Sequence, residues 1–478
     1  MRNQARRAKR AHWAGGTALA VIVSLPMSLL AQQPTATTAP AIPNSLSLQQ
    51  AERLLLQRSL IVQAARFQVS AGRAAKLIAG YKPNPAITIG AEQFNLSNKL
   101  LPNIVTTDPN VAAQTTYTLR YDTVIERGGK RELRAAQADA QLQANEAQML
   151  DAIRQQLFQL RQAFTTAALA HENLTLAEAT NEQYDQTIRL TSAKVDNGDL
   201  AGVELYRVQA SALQYQQAVQ QAETTYQQAT RDILNVLGAR VQDLQPAPPA
   251  RASGSAPQYA DARAIAVSLP QGAPASVVDE GPLSIAFNFN DRSIPQTLTE
   301  LRDMAMVQRP DLIAARRLYD AAMRGVNLAE SQRVRDLSAG VFFQRIGSDQ
   351  TMGVNFSVPL LIHNNGLAAV TQADAQKSAA EAIVRQAEFQ VAADVEKAYL
   401  AYQSARRMLD LYSTTTMERA GRLRTIAAVS YQQGVLGLLE LLDAQRTYNQ
   451  TATAYNQARA DYQMALWQLE QATASSLR

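Results

Sequence analysis

The sequence contains no cysteine and few aromatic residues, and each absence excludes several kinds of protein. Without cysteine, the chain of 478 residues has no disulfides, no thiolate metal ligands and no acylated cysteine of the kind that anchors a lipoprotein. Aromatic residues make up only 6% of the chain, so few bulky rings are available to fill a broad globular core. Long runs rich in Ala, Gln, Leu and Glu instead favour helices packed closely side by side.

Residues that commonly carry catalysis or metal binding are sparse. The three histidines, His12, His171 and His363, are scattered, and without cysteine they offer no metal cluster. We interpret His171 as a helix packing residue. The sequence has no phosphate-binding glycine loop, nucleophile elbow or pair of catalytic carboxylates. We therefore predict a protein that is not an enzyme and that needs no cofactor or metal.

Residues 1–31 have the composition of a secretory signal peptide. A basic segment precedes an apolar run of about 15 residues, and we predict cleavage near Ala31. Because Pro26 breaks this short run, a transmembrane anchor is the less favoured alternative. The segment holds five cations and no acid (Arg2, Arg6, Arg7, Lys9 and Arg10), so its removal leaves 46 − 5 = 41 basic residues against 41 acidic ones. The balance gives no indication of nucleic-acid binding.

The chain contains an internal duplication. A shift of 236 positions brings identical residues together, among them Gly198/Gly434, Leu200/Leu436, Glu204/Glu440, Leu205/Leu441 and Gln209/Gln445. The segment QADAQ occurs at 137–141 and at 372–376, and QRSLIVQAAR at Gln57 resembles QRPDLIAARR at Gln308. The larger shift of the last pair indicates an extra loop at 95–114 in the first copy. We predict copies at 32–238 and 297–478, joined by a Pro- and Ala-rich linker over 239–296 that wraps the helical body.

Each copy is predicted to contain a helix, a strand pair and a long helical hairpin, in that order. The first helix covers 48–79 and ends before Pro83. Alternation of apolar and polar residues predicts half-exposed strands at 86–94, 115–125, 337–346 and 351–360. Proline-free runs predict unbroken helices over about 126–193 and 364–429, within hairpins spanning 126–238 and 364–474. Apolar residues at alternating spacings of three and four indicate a coiled-coil seam along each returning helix.

The four strands have the length and the one-sided apolar pattern of membrane-spanning strands. Four strands cannot close a barrel, and an open edge in lipid would leave backbone groups unpaired. Three copies would together supply twelve strands. The alternative is a water-soluble strand pair packed on the helices.

The order of elements, occurring twice, resembles the TolC family of outer-membrane efflux proteins. The segment YQQGVLGLLELLDAQRTYNQ from Tyr431 resembles the second tip motif of that family, and PNP at 83–85 and RPDL at 309–312 resemble further family positions. The resemblance covers nearly the whole mature chain. It implies a mainly α fold with a small membrane β-barrel contribution: a homotrimer with a twelve-stranded barrel in outer-membrane lipid and a twelve-helix periplasmic tunnel. It also implies two partners, a periplasmic adaptor and an inner-membrane efflux pump.

A second motif bears on the cargo. The segment VIERGGKRELR at 124–134 resembles the strand-to-helix signature of the heavy-metal efflux branch, of cobalt-zinc-cadmium type, through Glu126, Gly128, Gly129, Lys130 and Arg131. The two glycines would relieve crowding, and the two cations would lie near acidic headgroups or at the tunnel mouth. The alternative is a purely structural junction. The second copy has HNNG at 363–366 in its place.

The hairpin tips are the predicted gate and docking site. We expect the gate to comprise Asp196, Asn197, Gly198, Asp199, Gln432, Gln433 and Gly434. The aspartates would give rings of negative charge that favour cations, and the alternative is a set of solvated turn residues. The apolar side chains of Leu200, Val435, Leu436 and Leu438 would offer a docking groove to the adaptor.

Other functions share parts of this pattern. A drug-efflux or type I protein secretion channel would have the same architecture, and only the GGKR motif favours metals. A periplasmic adaptor or coiled-coil scaffold is the alternative of another class. Adaptors carry one hairpin flanked by lipoyl-like domains, whereas this chain has two hairpins, each preceded by a strand pair.

Overall fold

The computed structural model describes residues 42–92, 116–244, 283–289, 292–346, 348–360, 362–412 and 414–476. The predicted signal peptide at 1–31, the extra loop at 95–114 and most of the linker at 239–296 lie outside these residues. The linker residues that are described pack against both copies: the backbone groups of Arg292 and Ile294 are hydrogen-bonded to Tyr462 and Tyr402 of the second copy, whereas Leu283 contacts the first. Leu283 is buried in the core of the first copy, and the hydroxyl of Tyr226 donates to the Leu283 carbonyl at 3.2 Å.

The first copy follows the predicted order of elements. In chain order these are β1 (Ser45–Ser47), α1 (Leu48–Arg58), α2 (Leu60–Ala79), β2 (Ala86–Glu92), β3 (Thr116–Ile125), α3 (Lys130–Asp196) and α4 (Gly202–Val236). Helix α3 has 67 residues, which at 1.5 Å per residue makes it about 100 Å long. It contacts α4 along the hairpin and also helix α6 (Pro310–Gln332) of the second copy, and so ties the two copies together.

The second copy repeats the order. After β4 (Ser284–Ala286) in the linker, its elements are α5 (Leu298–Gln308), α6 (Pro310–Gln332), β5 (Leu337–Ile346), β6 (Asp349–Ser357), α7 (Leu367–Leu411), α8 (Thr414–Gln432) and α9 (Leu438–Thr473). The predicted fold class, mainly helical with a duplicated unit of helix, strand pair and long hairpin, is confirmed. Among the helices that the structure describes, none is both long and apolar enough to cross a bilayer.

The prediction of one continuous helix over 48–79 is wrong. Ser59 leaves the helical conformation and separates α1 from α2. The preceding Arg58 is buried, and its guanidinium donates to Asp243 at 2.9 Å. The second copy has the same break at Arg309, which is also buried and donates to Asp311 at 2.5 Å and to Asp394 at 3.0 Å. Each copy therefore bends where it buries an arginine that needs carboxylate partners.

The prediction of one helix over 364–429 is also wrong, because α7 ends at Leu411 and α8 begins at Thr414. The break falls in a run of serine and threonine in the sequence at 413–416, a composition that favours caps and turns over helix interiors. The hydroxyl of Thr416 donates to the carbonyl of Leu411 at 3.2 Å, across the break. Its counterpart α3 is unbroken.

The four longer strands form one antiparallel sheet in the order β2-β3-β5-β6, and β1 pairs with β4 in a separate, parallel two-stranded sheet. The central pairing, from Thr116↔Ile346 to Ile125↔Leu337, joins the two copies. Strand β6 begins and ends earlier than expected, at Asp349 and Ser357 rather than 351 and 360, and the predicted strand at 86–94 is described as far as Glu92. One face of the sheet is apolar and exposed across all four strands, through Ile87, Ile89, Leu119, Tyr121, Val341, Phe343, Met352, Val354 and Phe356.

Candidate functional site: hairpin tips and strand–helix junctions

The first hairpin tip is a glycine-terminated helix end. Gly198 has a φ of 81°, in the left-handed region that favours glycine. The backbone N–H of Asp199 donates to the carbonyl of Lys194 at 2.8 Å, and that of Gly198 donates to Val195 at 3.0 Å. These bonds satisfy carbonyls that the end of α3 would otherwise leave unpaired. A Cβ on Gly198 would meet nothing within 4 Å, so it is the backbone angle that requires glycine.

The second tip repeats this geometry. Gly434 has a φ of 76°, and a Cβ there would also meet nothing within 4 Å. The N–H of Val435 donates to Ser430 at 2.9 Å, and that of Gly434 donates to Tyr431 at 3.1 Å. The sequence identity at a shift of 236 therefore reflects one turn built twice.

The polar residues predicted to form the gate all lie at the exposed ends of the hairpins: Asp196, Asn197, Asp199, Gln432 and Gln433. Among the described residues, neither aspartate of the first tip takes part in an ion pair or a side-chain hydrogen bond. The second tip carries no charge at the corresponding positions.

The two tips are joined by a contact that the sequence did not reveal. Lys194 donates to the backbone carbonyl of Tyr431 at 2.5 Å, and its Nζ lies 4.4 Å from the centre of the Tyr431 ring. The Tyr431 hydroxyl is 2.9 Å from the Thr191 hydroxyl, and the ring is only 2% exposed. The one available signal was the position of Tyr431 at the start of the tip motif. This contact holds the first hairpin against the second.

A small apolar core lies beneath the tips, with buried residues from both hairpins, including Tyr184, Val208, Tyr431 and Leu441. Tyr184 stacks on Tyr215 with ring centres 4.1 Å apart. Burial, reinforced by a hydrogen bond with Tyr215, raises the pKa of the Tyr184 hydroxyl, which therefore stays neutral.

The predicted docking residues divide between surface and core. Val435 is 74% exposed, and Leu200 and Leu436 are half-buried. Leu438 is only 4% exposed, so its assignment to a docking groove is wrong: the side chain packs into the core beneath the tips. Three large apolar side chains at the start of the returning helices are exposed and were missed: Val203, Tyr206 and Leu439. They lie one turn or less from the tips.

At the first strand–helix junction, the GGKR motif has a structural role. Lys130 donates to Asp336 at 2.7 Å, and its side chain is only 8% exposed. The same Asp336 oxygen accepts from the backbone N–H of Arg127 at 3.0 Å. Lys130 is therefore engaged in an internal ion pair, and its placement near headgroups or at a tunnel mouth stays a prediction. Arg131 lies at the surface beside Glu132, 2.6 Å away.

The motif glycines allow the turn from β3 into α3. Gly128 and Gly129 have φ of 75° and 68°. A Cβ on Gly128 would lie 3.0 Å from the Cβ of Val334, so crowding does require glycine there, whereas Gly129 has open space and is needed for its backbone angle. Beside them, Glu126 accepts from Arg134 at 2.5 and 3.0 Å, in the paired geometry typical of arginine and carboxylate.

No group of three or more His, Asp or Glu side chains in the described part of the chain is arranged to hold a metal ion. His171 contacts the edge of the Tyr226 ring, with ring centres 5.4 Å apart, as a packing residue would.

Comparison with known proteins agrees with this geometry. The model of the outer membrane efflux protein family matches residues 52–239 and 301–475. The alkaline protease secretion protein AprF of Pseudomonas aeruginosa is 22% identical over 318 residues, which are 64% of this chain and 58% of AprF. The chain therefore matches less than two thirds of that relative's length.

Solved structures share the fold. The outer-membrane channel OprN superimposes with a TM-score of 0.66 at 20% identity, over 90% of each chain. The CmeC outer membrane channel of Campylobacter jejuni gives a TM-score of 0.69 at 15% identity, over 90% of this chain and 86% of CmeC.

Proposed function

Because the chain belongs to the outer membrane efflux protein family, we propose that it is the outer-membrane exit duct of a tripartite export system. In this role, substrates delivered by an inner-membrane pump and a periplasmic adaptor leave the cell through a water-filled path. The duct itself catalyses no reaction. The observation that carries the proposal is a family match that covers both copies of the unit.

The sheet supports a shared membrane assembly. Its outer strands β2 and β6 have no partner along their free edges among the described residues. Unpaired backbone groups in lipid would cost several kcal/mol each, so a second chain has to cover these edges. Three copies supply twelve strands, an even number within the known range. The exposed apolar face of the sheet would then contact lipid.

The exposed apolar side chains near the tips support adaptor docking. Val203, Tyr206, Val435 and Leu439 are all more than half exposed. Helical hairpins of an adaptor would cover them, in the manner of an amphipathic helix that fills a groove. Leu200 and Leu436 are half-buried and pack against the core beneath the tips.

The charge of the first tip bears on the cargo. Asp196 and Asp199 are exposed acids at the first tip, and rings of them would favour cations such as heavy metals. The GGKR motif adds less support than its resemblance implied, because Lys130 is used internally. The likeness to a protease secretion protein favours protein export as a second candidate.

The proposal is tested by fractionation, native mass and loss of export. Mature protein extracted from outer membranes in mild detergent should have the mass of three chains. A deletion strain should accumulate the exported compound, which growth on metal salts, drugs or an assay for secreted protease would identify. A monomer in the soluble periplasm would overturn the proposal and favour the adaptor or scaffold interpretation.

A further inference from the structure

The apolar face of the sheet ends in two arginines at the side nearest the long helices. On this face β3 presents Tyr121 and Ile125, and β5 presents Leu337 and Val341, with Ile125 paired to Leu337. Because side chains alternate along a strand, the next position on the same face is Arg127 after β3 and Arg335 before β5. The antiparallel register places these two residues opposite each other.

The register holds beyond the last hydrogen-bonded pair. Gly128 and Val334 are the next partners in the same register, and a Cβ on Gly128 would lie 3.0 Å from that of Val334. The two backbone segments that continue β3 and β5 therefore still run side by side at Arg127 and Arg335. Both arginines are exposed.

Neither arginine side chain has an acidic partner among the described residues. The neighbouring acids, Glu126 and Asp336, fall on the opposite face by the same alternation, and they are occupied by Arg134 and Lys130. Like charges directly opposite each other destabilise a strand pair. An anion from outside the chain would remove this repulsion.

The position matches the edge of a lipid bilayer. Ten positions separate Arg127 from Tyr117, which pairs with Arg345 at the other end of the apolar face. At about 3.3 Å per residue and a strand tilt of about 40°, the face is about 25 Å tall, which is the height of the apolar band of outer-membrane proteins. Tyr81, just before β2, is 64% exposed at the arginine end. Tyrosines beside cations are typical of membrane–water interfaces.

We propose that Arg127 and Arg335 together bind the headgroup phosphate of an anionic phospholipid in the periplasmic leaflet of the outer membrane. The inference rests on the proposed function, since it needs the sheet to lie in that membrane. Two guanidinium groups side by side match the oxygens of one phosphate, because each presents a planar fork of donors. The bound lipid fixes the depth of the strand–helix junction in the bilayer.

The site is tested with the full mature protein in nanodiscs that contain equal amounts of phosphatidylethanolamine and phosphatidylglycerol. After detergent extraction, native mass spectrometry counts the lipids that each trimer retains. We expect the wild type to retain phosphatidylglycerol preferentially and Arg127→Gln/Arg335→Gln to lose that preference, by about fivefold for each arginine. The matched control is Arg231→Gln/Arg302→Gln, which removes two exposed helix arginines and the same charge.

Equal phosphatidylglycerol retention by the wild type and the double variant would overturn the inference, as would an equal loss in the control. If the double variant does not assemble, the wild type is measured at low and at high salt. Its preference for phosphatidylglycerol should fall at high salt, because salt screens the attraction between arginine and phosphate. A preference that salt does not change would contradict the site. Displacement of the lipid by excess inorganic phosphate would assign the arginines to free phosphate instead. A trimer in outer membranes without lipid preference refutes only this inference, whereas absence from the membrane refutes the proposed function.

Discussion

At the junction between strand and long helix, the first copy of the unit buries an ion pair, whereas the second uses asparagine side chains. Gly129 and Gly366 both precede the helix with a positive φ, of 68° and 79°. Beside Gly129 lies the Lys130–Asp336 pair. Beside Gly366, the side chain of Asn364 accepts from its backbone N–H at 2.9 Å. The two junctions share a backbone conformation and differ in the side chains that stabilise it.

The two hairpin tips likewise share a backbone conformation and differ in their side chains. Gly198 and Gly434 end their helices with matching hydrogen bonds, yet the first tip is acidic and the second neutral. The glycines and the bonds they permit define the unit. The remaining side chains are free to take separate functions in the two copies.

The largest expected effect comes from Asp336→Ala, which breaks the junction in the first copy alone. It leaves the Lys130 ammonium buried without a counter-charge and should lower the free energy of unfolding by about 3 kcal/mol. Denaturant unfolding of the purified protein in detergent measures this. The second-copy control Asn364→Ala should cost about 1 kcal/mol. Equal losses would show that both junctions depend on side chains to the same degree, and Lys130→Met/Asp336→Leu should recover most of the loss.

Gly434→Val should strain the second tip by about 2 kcal/mol, because a branched residue there has to adopt a positive φ. We expect loss of export, measured in a complemented deletion strain, while the trimer still reaches the outer membrane. Gly198→Val should cause a similar loss of export if the two turns are equivalent. Gly421→Ala in α8, where a Cβ has ordinary contacts, is the control. Unchanged export in Gly434→Val would contradict a role for the tip in docking.

Tyr431→Phe should have a smaller and local effect. It removes the hydrogen bond to Thr191, worth about 1 kcal/mol, while keeping the ring under Lys194. Hydrogen exchange at the second tip should become faster, with little change in the strands. Tyr448→Phe, which keeps its ring contact with Arg424, should leave the exchange rates unchanged. If hydrogen exchange at the second tip is as slow in Tyr431→Phe as in the wild type, other contacts hold the tips together.

The smallest effect concerns the two copies of QADAQ. Asp139 pairs with Lys76 at 2.6 Å, whereas Asp374 at the equivalent position pairs with Lys377 of its own helix, at 3.6 Å. The hydrogen bond from Lys76 holds the pKa of Asp139 below its ordinary value of 3.8. The pair therefore stabilises the fold above pH 3.8, and this contribution is lost as the pH falls through the lowered pKa.

Asp139→Asn should accordingly lower thermal stability at neutral pH by less than about 1 kcal/mol, since the pair is partly exposed. The difference from the wild type should shrink as the pH falls below 3.8. Asp374→Asn should show no comparable difference. Melting curves over this pH range measure both, and a constant difference at all pH values would exclude the pair as the cause.

The duplication, the strand pairs and the hairpins could be predicted because they depend on local patterns: alternation, helix periodicity and glycine at turns. The break at Ser59 could not, because it arises where buried Arg58 finds a carboxylate distant in the sequence, Asp243. The break at Arg309 had a local signal, because Pro310 disfavours the helical conformation at the residue before it. The break before Thr414 had a local signal in its serine and threonine run. The helical pattern before and after this run nevertheless predicted one continuous helix.

The functional residues were harder to place for the same reason. The tip motif located the turn but not which of its leucines face inward, so Leu438 was assigned to the surface. The role of Lys130 depends on its ion pair with Asp336, which lies more than two hundred positions later in the sequence. Contacts between the copies decide both cases, and no pattern within one copy contains them.

The pairing of β3 with β5 also sets an order of events during biogenesis. Thr116 pairs with Ile346, so the sheet cannot form until the first hairpin, the linker and the beginning of the second copy have all been exported. Until then the β2–β3 hairpin has one edge unpaired and its apolar face exposed, a state prone to aggregation. The helices of the first copy can fold from local contacts during this interval. Strand pairing is therefore the late and vulnerable step, in which a periplasmic chaperone would protect the chain.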